Sequence, residues 1–271
     1  MPELPEVEKV RRGISPALIG QCLRGAYVRE PRLRWPVPTD LDERVRGRRV
    51  LSVDRRGKYL LVRLDRGALI LHLGMSGSLR FVADDTPIDK HDHIDLLIDD
   101  GRRLRFRDPR RFGAMLHCPD PDTHPLIAHL GVEPLSSAFD GAWLHAATRN
   151  RTAAIKPLLM DASLVVGIGN IYANEALFHA GIHPGTHAGR LSRPRCDRLV
   201  DAIRATLARA IDNGGSTLRD FVDARGKPGY FQQQYAVYGR IGESCHACGS
   251  SIKMLRHGNR ATFFCPACQK R

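Results

Sequence analysis

Long apolar runs are missing from this 271-residue sequence, and none reaches the roughly 18 to 20 residues that a bilayer-crossing helix requires. The first ten residues, MPELPEVEKV, are acidic and lack the basic segment and apolar stretch of a secretion signal. Cysteine is sparse through most of the length. Cys22, Cys118 and Cys196 stand alone, a pattern of buried thiols in a reducing compartment. These absences predict a cytoplasmic protein. Acidic residues are also in short supply: Asp and Glu total 29 against 42 Lys and Arg, a net charge of +13. That excess makes a polyanion the leading partner, nucleic acid ahead of membrane, with an inert basic surface as the bland alternative. The 42% hydrophobic content supports real cores, and the length accommodates two domains.

No internal repeat is visible. Val7, Val10, Ile14 and Leu18 recur at helical spacing and predict a helix from Pro5 to about Gly20. Pro5 fits a first helical turn, where its missing N–H would be unpaired anyway. KYLLVRL and ALILHL flank Asp65-Arg66-Gly67, while HIDLLI and RRLRFRD flank Asp99-Asp100-Gly101, giving two hairpin signatures. In RRLRFRD the alternation predicts a core face of Leu104 and Phe106 and an outward positive face of Arg103, Arg105 and Arg107. Short strands at this spacing argue for a β-sandwich or barrel. The Pro-rich stretch PDPDTHPLIAHLGVEPLS, near 119–136, reads as a linker. Beyond it, helices are predicted at 153–161, 170–179 and 193–213, followed by the polar segment GKPGYFQQQY. The expected class is α+β in two domains, β-rich over 1–131 and helical over 132–236, with a cysteine hairpin over 237–271.

CHAC and CPAC place Cys245, Cys248, Cys265 and Cys268 in a C-x2-C-x16-C-x2-C pattern. Four thiolates at this spacing suit one tetrahedral Zn²⁺, with a disulfide pair or a redox site as the alternative; with every ligand supplied by protein, such an ion organises structure and leaves no position for substrate. Lys253, Arg256, His257 and Arg260 between the pairs make a basic tip, either a solvated loop or a phosphate contact. GIGN, at 167–170, is either a phosphate cradle at a helix start or an ordinary Gly-rich turn. In HLGMSG, His72 and Met75 are by themselves ordinary core residues. DPRRFG sets Arg110 and Phe112 in a turn, where Phe112 reads as an anchor. His91-Asp92-His93 suggests a metal, yet His91 and His93 share a strand face without further ligands, and Lys58 reads as a surface lysine.

Together, PELPEVE, RGKYL, HLGMSG, DPRRFG, VVGIGNIYANEALF, GYFQQQYAVYGR and the four-cysteine finger resemble the formamidopyrimidine-DNA glycosylases, in order from residue 2 to residue 268. Endonuclease VIII-type relatives, which act on oxidised pyrimidines, typically carry glycine after the first Pro-Glu, and Leu4 here favours the formamidopyrimidine branch. The resemblance implies a β-sandwich N-terminal domain, a helix–two-turn–helix domain with a zinc ribbon, and DNA bound in a basic cleft between the domains. It implies a monomeric bacterial enzyme of base excision repair with no obligate protein partner and one structural zinc. A non-catalytic zinc-ribbon DNA-binding protein is the alternative of another class.

The resemblance also assigns roles. Pro2, freed by removal of Met1, is the secondary-amine nucleophile. Glu3 is its acid–base partner and Glu6 the supporting carboxylate. Lys58 serves β-elimination. Arg260 is assigned to δ-elimination, although a guanidinium of pKa above ~12 suits a phosphate clamp better than a proton donor. Met75, Arg110 and Phe112 fill the void left by an extruded nucleotide. His72, His91, Arg110, Arg151, Asn170 and Tyr238 contact DNA, with Arg151 standing where many relatives carry lysine. A loop over 216–230 closes on the lesion. In the finger, Asn259-Arg260-Ala261-Thr262 departs from the common Gly-Arg-Ser-Thr but keeps the arginine.

Overall fold

The computed structural model describes residues 1–214 and 235–271, so the loop expected at 216–230 lies outside the described residues. Two compact units emerge, one holding Met1–Ala128 and the other His129–Asp212 with the described C-terminal residues.

The first unit opens with α1 (Leu4–Leu18), capped by Glu3, with Pro5 in its first turn as its missing N–H predicts. Val7, Val10, Ile14 and Leu18 form its buried stripe. Eight strands follow: β1 (Cys22–Val28), β2 (Arg48–Arg56), β3 (Tyr59–Leu64), β4 (Ala68–His72), β5 (Ser78–Ala83), β6 (Asp92–Ile98), β7 (Arg102–Arg107) and β8 (Ala114–Cys118). Their order is β5-β7-β6-β1-β2-β3-β4-β8. β1 and β2 share only the pairs Cys22–Arg49 and Leu23–Arg48, so the sheet divides into two four-stranded halves. The inner faces of both halves close with α1 over one core that includes Leu23, Leu60, Leu69, Leu96 and Phe106. Both predicted hairpins form, β3–β4 around Gly67 at φ +78° and β6–β7 around Gly101 at φ +85°.

The outward positive face expected on β7 is corrected by the structure. Arg105 is fully buried, and its guanidinium meets Asp95 at 2.9 and 3.0 Å and Asp92 at 3.3 Å. Arg103 binds Asp84 at 2.8 Å, and Arg107 binds Asp89. The partners come from β6 and the segment before it, across the sheet, where alternation along one strand cannot see them. Charges buried this deeply persist only when paired and hydrogen-bonded.

In the second unit the predicted linker proves partly built in. Val132 makes a parallel bridge with Val165, and the Gly131 N–H donates to the Ala162 carbonyl at 2.8 Å. Glycine is required there, because a Cβ on Gly131 would stand 2.0 Å from the Leu164 oxygen. Five more helices are α2 (Leu41–Val45) and α3 (Pro125–Ala128) in the first unit, and α4 (Gly141–Thr148), α5 (Ile155–Leu159) and α6 (Asn170–His179) in the second. α7 (Arg193–Asp212) and the hairpin of β9 (Lys253–His257) and β10 (Arg260–Phe264) complete it. Cys118 and Cys196 are buried free thiols, and Cys22 is half-buried. Among the described residues, no helix is long and apolar enough to cross a membrane.

Candidate active site and nucleic-acid contacts

Pro2, Glu3 and Glu6 are all buried at the start of α1, with Glu3 3% and Glu6 0% exposed. Glu3 occupies the N-cap, a position that Ser, Thr, Asp and Asn favour on stability grounds alone. Glu6 reaches back from the first turn to accept the Glu3 backbone N–H at 2.8 Å. That bond fixes the turn and leaves two carboxylates side by side with the chain's amino end. Met1 precedes Pro2 here, so the Pro2 nitrogen is an amide and the Met1 α-amine reports the electrostatics of this pole. Burial is the largest influence and lowers that amine's pKa; Lys58 and Arg110 lower it further, while Glu3 and Glu6 pull it back up. Four predicted site residues from three separate chain segments therefore act on one amine.

His72 ends β4 with its ring buried against Tyr59 (4.9 Å between centroids) and Trp35 (6.4 Å). Its Nδ1 accepts the Gly74 N–H at 3.0 Å, which leaves Nε2 as the protonated donor of a neutral ring. Burial first, then Lys58 and Arg34, push its pKa down to about 4. The loops after β4 and β7 lie together. Met75 is half-buried in one; Arg110 and Phe112 are exposed in the other, with the Arg110 guanidinium 5.1 Å from the Phe112 ring centre. Phe112 keeps 44% exposure, so it is not the core anchor that the residues alone suggest. The His91 carbonyl accepts the Asp108 N–H at 3.0 Å, and His93 is buried with its Nε2 2.8 Å from the Asp108 carbonyl. The only metal-competent cluster among the described residues is made of cysteines, not of these histidines.

In the second unit, α6 holds the ribbon hairpin. Asn170, its first residue, accepts from Lys156 at 2.7 Å and donates to the Ala261 carbonyl at 3.1 Å. Lys156 is 1% exposed, and its ammonium also donates to Ala261 O at 3.0 Å and Thr262 Oγ1 at 2.7 Å. Residues flanking Arg260 are thus fastened to the start of α6. Asn174 accepts the Phe263 N–H at 2.8 Å. The Glu175 carboxylate accepts the N–H groups of Ala236, Val237 and Tyr238 at 2.8 to 3.0 Å, which positions Tyr238 against Phe263. Burial pushes the Glu175 pKa up, against the pull of those three donors. Lys156, His257, Asn259 and Arg260 line a groove of about 530 Å³ at the ribbon tip. Arg151 is exposed between α4 and α5. Sequence reasoning passed over Lys156 and Glu175. The motif AIKP offered a lysine in a predicted helix, but its partners lie 14 and 105 or more positions away.

The four sulfurs of Cys245, Cys248, Cys265 and Cys268 lie within 4.8 Å of one another, with Cys245–Cys268 at 3.9 Å and Cys248–Cys265 at 3.4 Å. Tetrahedral sulfurs about 2.3 Å from zinc would be ~3.8 Å apart, so the cluster fits one structural Zn²⁺. Val237 and Ile252 pack beside it as a small apolar core.

These arrangements define a two-unit α+β protein with a buried carboxylate-rich amino end in one unit and a four-cysteine zinc ribbon in the other. The sequence matches the formamidopyrimidine-DNA glycosylase N-terminal domain over residues 1–115, the H2TH domain of that glycosylase over 130–222, and the zinc finger found in FPG and IleRS over 242–271. A formamidopyrimidine-DNA glycosylase from Thioalkalivibrio sulfidiphilus is 57% identical over 271 residues, covering 100% of both chains. The crystal structure of the MutM (Fpg) protein from Thermus thermophilus superposes with a TM-score of 0.89 at 41% identity, over 99% of this chain and 98% of that one. The Lactococcus lactis Fpg in complex with abasic-site DNA gives a TM-score of 0.91 at 36% identity, over 99% and 100%. The chain belongs to the formamidopyrimidine-DNA glycosylase family.

Proposed function

We propose that this chain removes oxidised purines, 8-oxoguanine and formamidopyrimidines, from duplex DNA and then cleaves the strand, using Pro2 as nucleophile. The observation that carries the reading is the convergence of Glu3, Glu6, Lys58 and Arg110 on the buried amino end, where an amine is biased toward its neutral form. Once Met1 is gone, the neutral Pro2 nitrogen attacks C1′. The damaged base leaves with the glycosidic electron pair and a proton, and an iminium remains on the enzyme. Glu3 protonates the opening sugar and later moves protons for elimination, while Glu6 holds Glu3's turn. The iminium acidifies C2′, so β-elimination releases the 3′ phosphate with Lys58 assisting. A second elimination releases the 5′ phosphate, with Arg260 clamping the leaving group.

Extruding the nucleotide costs a few kcal/mol of stacking and pairing. Met75, Arg110 and Phe112 occupy the vacated space, Arg110 facing the orphaned cytosine and Phe112 wedging the step. His72 as a neutral N–H donor, His91, Arg151, Asn170 and Tyr238 contact the DNA. Zinc, when bound by the four thiolates, holds the ribbon that presents Arg260. The protein works as a monomer in the cytoplasm, on the chromosome.

Borohydride trapping tests this. Met1-processed protein mixed with a duplex containing 8-oxoguanine opposite cytosine is expected to give a covalent adduct, and Pro2→Gly is expected to slow base release greatly while leaving duplex affinity nearly intact. Binding of the duplex without any adduct would support the non-catalytic DNA-binding alternative instead.

A further inference from the structure

Asp108 has been given no part in the chemistry, yet the two void-filling loops meet on it. Its carboxylate is fully buried. One oxygen accepts the Ser76 hydroxyl at 2.9 Å and the Arg110 N–H at 3.3 Å; the other accepts the Gly113 N–H at 2.8 Å. Ser76 belongs to the Met75 loop and is 4% exposed; its oxygen in turn accepts the Arg110 N–H at 3.2 Å. Backbone packing closes the same seam. A Cβ on Gly74 would lie 2.4 Å from the Phe112 carbonyl carbon, at a glycine φ of +62°. Arg111, between the two exposed side chains, adopts φ +56°, a conformation that a non-glycine residue keeps only where its surroundings dictate it.

We infer that Ser76 and Asp108 form a latch that joins the Met75 loop and the Arg110–Phe112 loop into a single preorganised wedge, and that this latch sets how long a nucleotide stays extruded. The inference rests on the void-filling role proposed above. Duplex DNA pushes back on whatever fills the gap, because restacking is favourable. Two loose turns would yield to that push independently; two turns sharing a buried carboxylate must move together. Ser76 and Asp108 are positioning residues, and they act through Arg110 and Phe112 without touching DNA themselves. The latch therefore affects steps that need the extruded state and spares those that follow it.

The test uses full-length, Met1-processed protein and a duplex carrying 2-aminopurine beside 8-oxoguanine. Ser76→Ala removes the bridging hydroxyl at almost constant volume, and Asp108→Asn keeps the shape while turning one acceptor into a donor. Both variants are expected to lower the fluorescence amplitude of wedge insertion and slow single-turnover base excision about tenfold, the extruded population falling by the same factor. Cleavage of a pre-formed abasic site should stay within about twofold of wild type. Phe112→Ala serves as the control arm and must reduce the 2-aminopurine signal. If it does not, the void-filling reading itself fails. If it does while Ser76→Ala and Asp108→Asn excise at the wild-type rate, the latch is wrong. Parallel loss of excision, abasic cleavage and Tm in both variants would also overturn it, showing a purely structural role.

Discussion

On β7, arginines alternate with a leucine and a phenylalanine, and aspartates from neighbouring segments take up their charge. Arg105 has no exposed surface and two carboxylate partners. At the ribbon tip, Arg256 and Arg260 stand exposed, beside a groove that Arg260 and the buried Lys156 both line. One region uses basic residues to hold a sheet together, and the other presents them to solvent. A net charge of +13 counts both alike. Only the tip-like arginines bear on a polyanion, because a guanidinium already bonded to buried carboxylates has neither the geometry nor the exposure to displace counterions from DNA.

The contrast can be broken at four points. The largest effect should come from the tip. Replacing Cys265 with serine, or stripping zinc with a chelator, should unfold the ribbon, since structural zinc contributes on the order of 10 kcal/mol to such modules. Loss of far-ultraviolet β signal together with DNA affinity would be the expected record; DNA binding that survives zinc removal would contradict the clamp role. Next comes Arg105→Ala, which takes the buried guanidinium from Asp92 and Asp95, leaves Asp95 with Arg29 and Asp92 with Arg107, and should destabilise the first unit by about 3 kcal/mol, the low end for a broken buried pair. Denaturant melts measure it, and the salt dependence of DNA binding should not change.

A third basic group, His72, has no carboxylate partner among the described residues and carries no charge, because burial discharges it. Its folded pKa of about 4 lies below its ordinary value near 6.5, so the unfolded chain binds the extra proton between those limits. Stability attributable to His72 is therefore complete above pH 6.5 and falls as pH drops toward 4, by up to about 1.4 kcal/mol per pH unit. His72→Gln should flatten the Tm–pH curve in that window and leave it unchanged above pH 7. The smallest effect on folding belongs to Arg260→Ala, expected within about 0.5 kcal/mol of wild type. Its signature is instead a plot of log K against log salt whose slope is shallower by about 0.9, one phosphate contact fewer.

Local signals read well from sequence. The apolar stripe of α1, the turn residues at Gly67 and Gly101, and the span of α6 all depend on neighbours within a few positions. The cysteine cluster was equally legible, because thiolate spacing encodes its own geometry. What escaped depends on distant partners. Arg105 lies ten positions from Asp95, Ser76 lies 32 from Asp108, and Lys156 lies 106 from Thr262. Each looks ordinary in its own segment: an outward strand residue, a loop serine, a helix lysine. Val132 taught the same lesson, since a Pro-rich stretch read as linker supplies a strand-like bridge to Val165.

The burial of Pro2 has a practical side for anyone who handles the molecule. An amino-terminal affinity tag, or incomplete trimming of Met1, leaves a peptide bond on the nitrogen proposed as nucleophile, at a residue that is buried. On the proposed chemistry, such a preparation is expected to bind DNA and give no borohydride-trapped adduct. The carboxyl end is the place for a handle: Lys270 is stitched to Gly181 and His183 through its backbone, while Arg271 points outward beyond it.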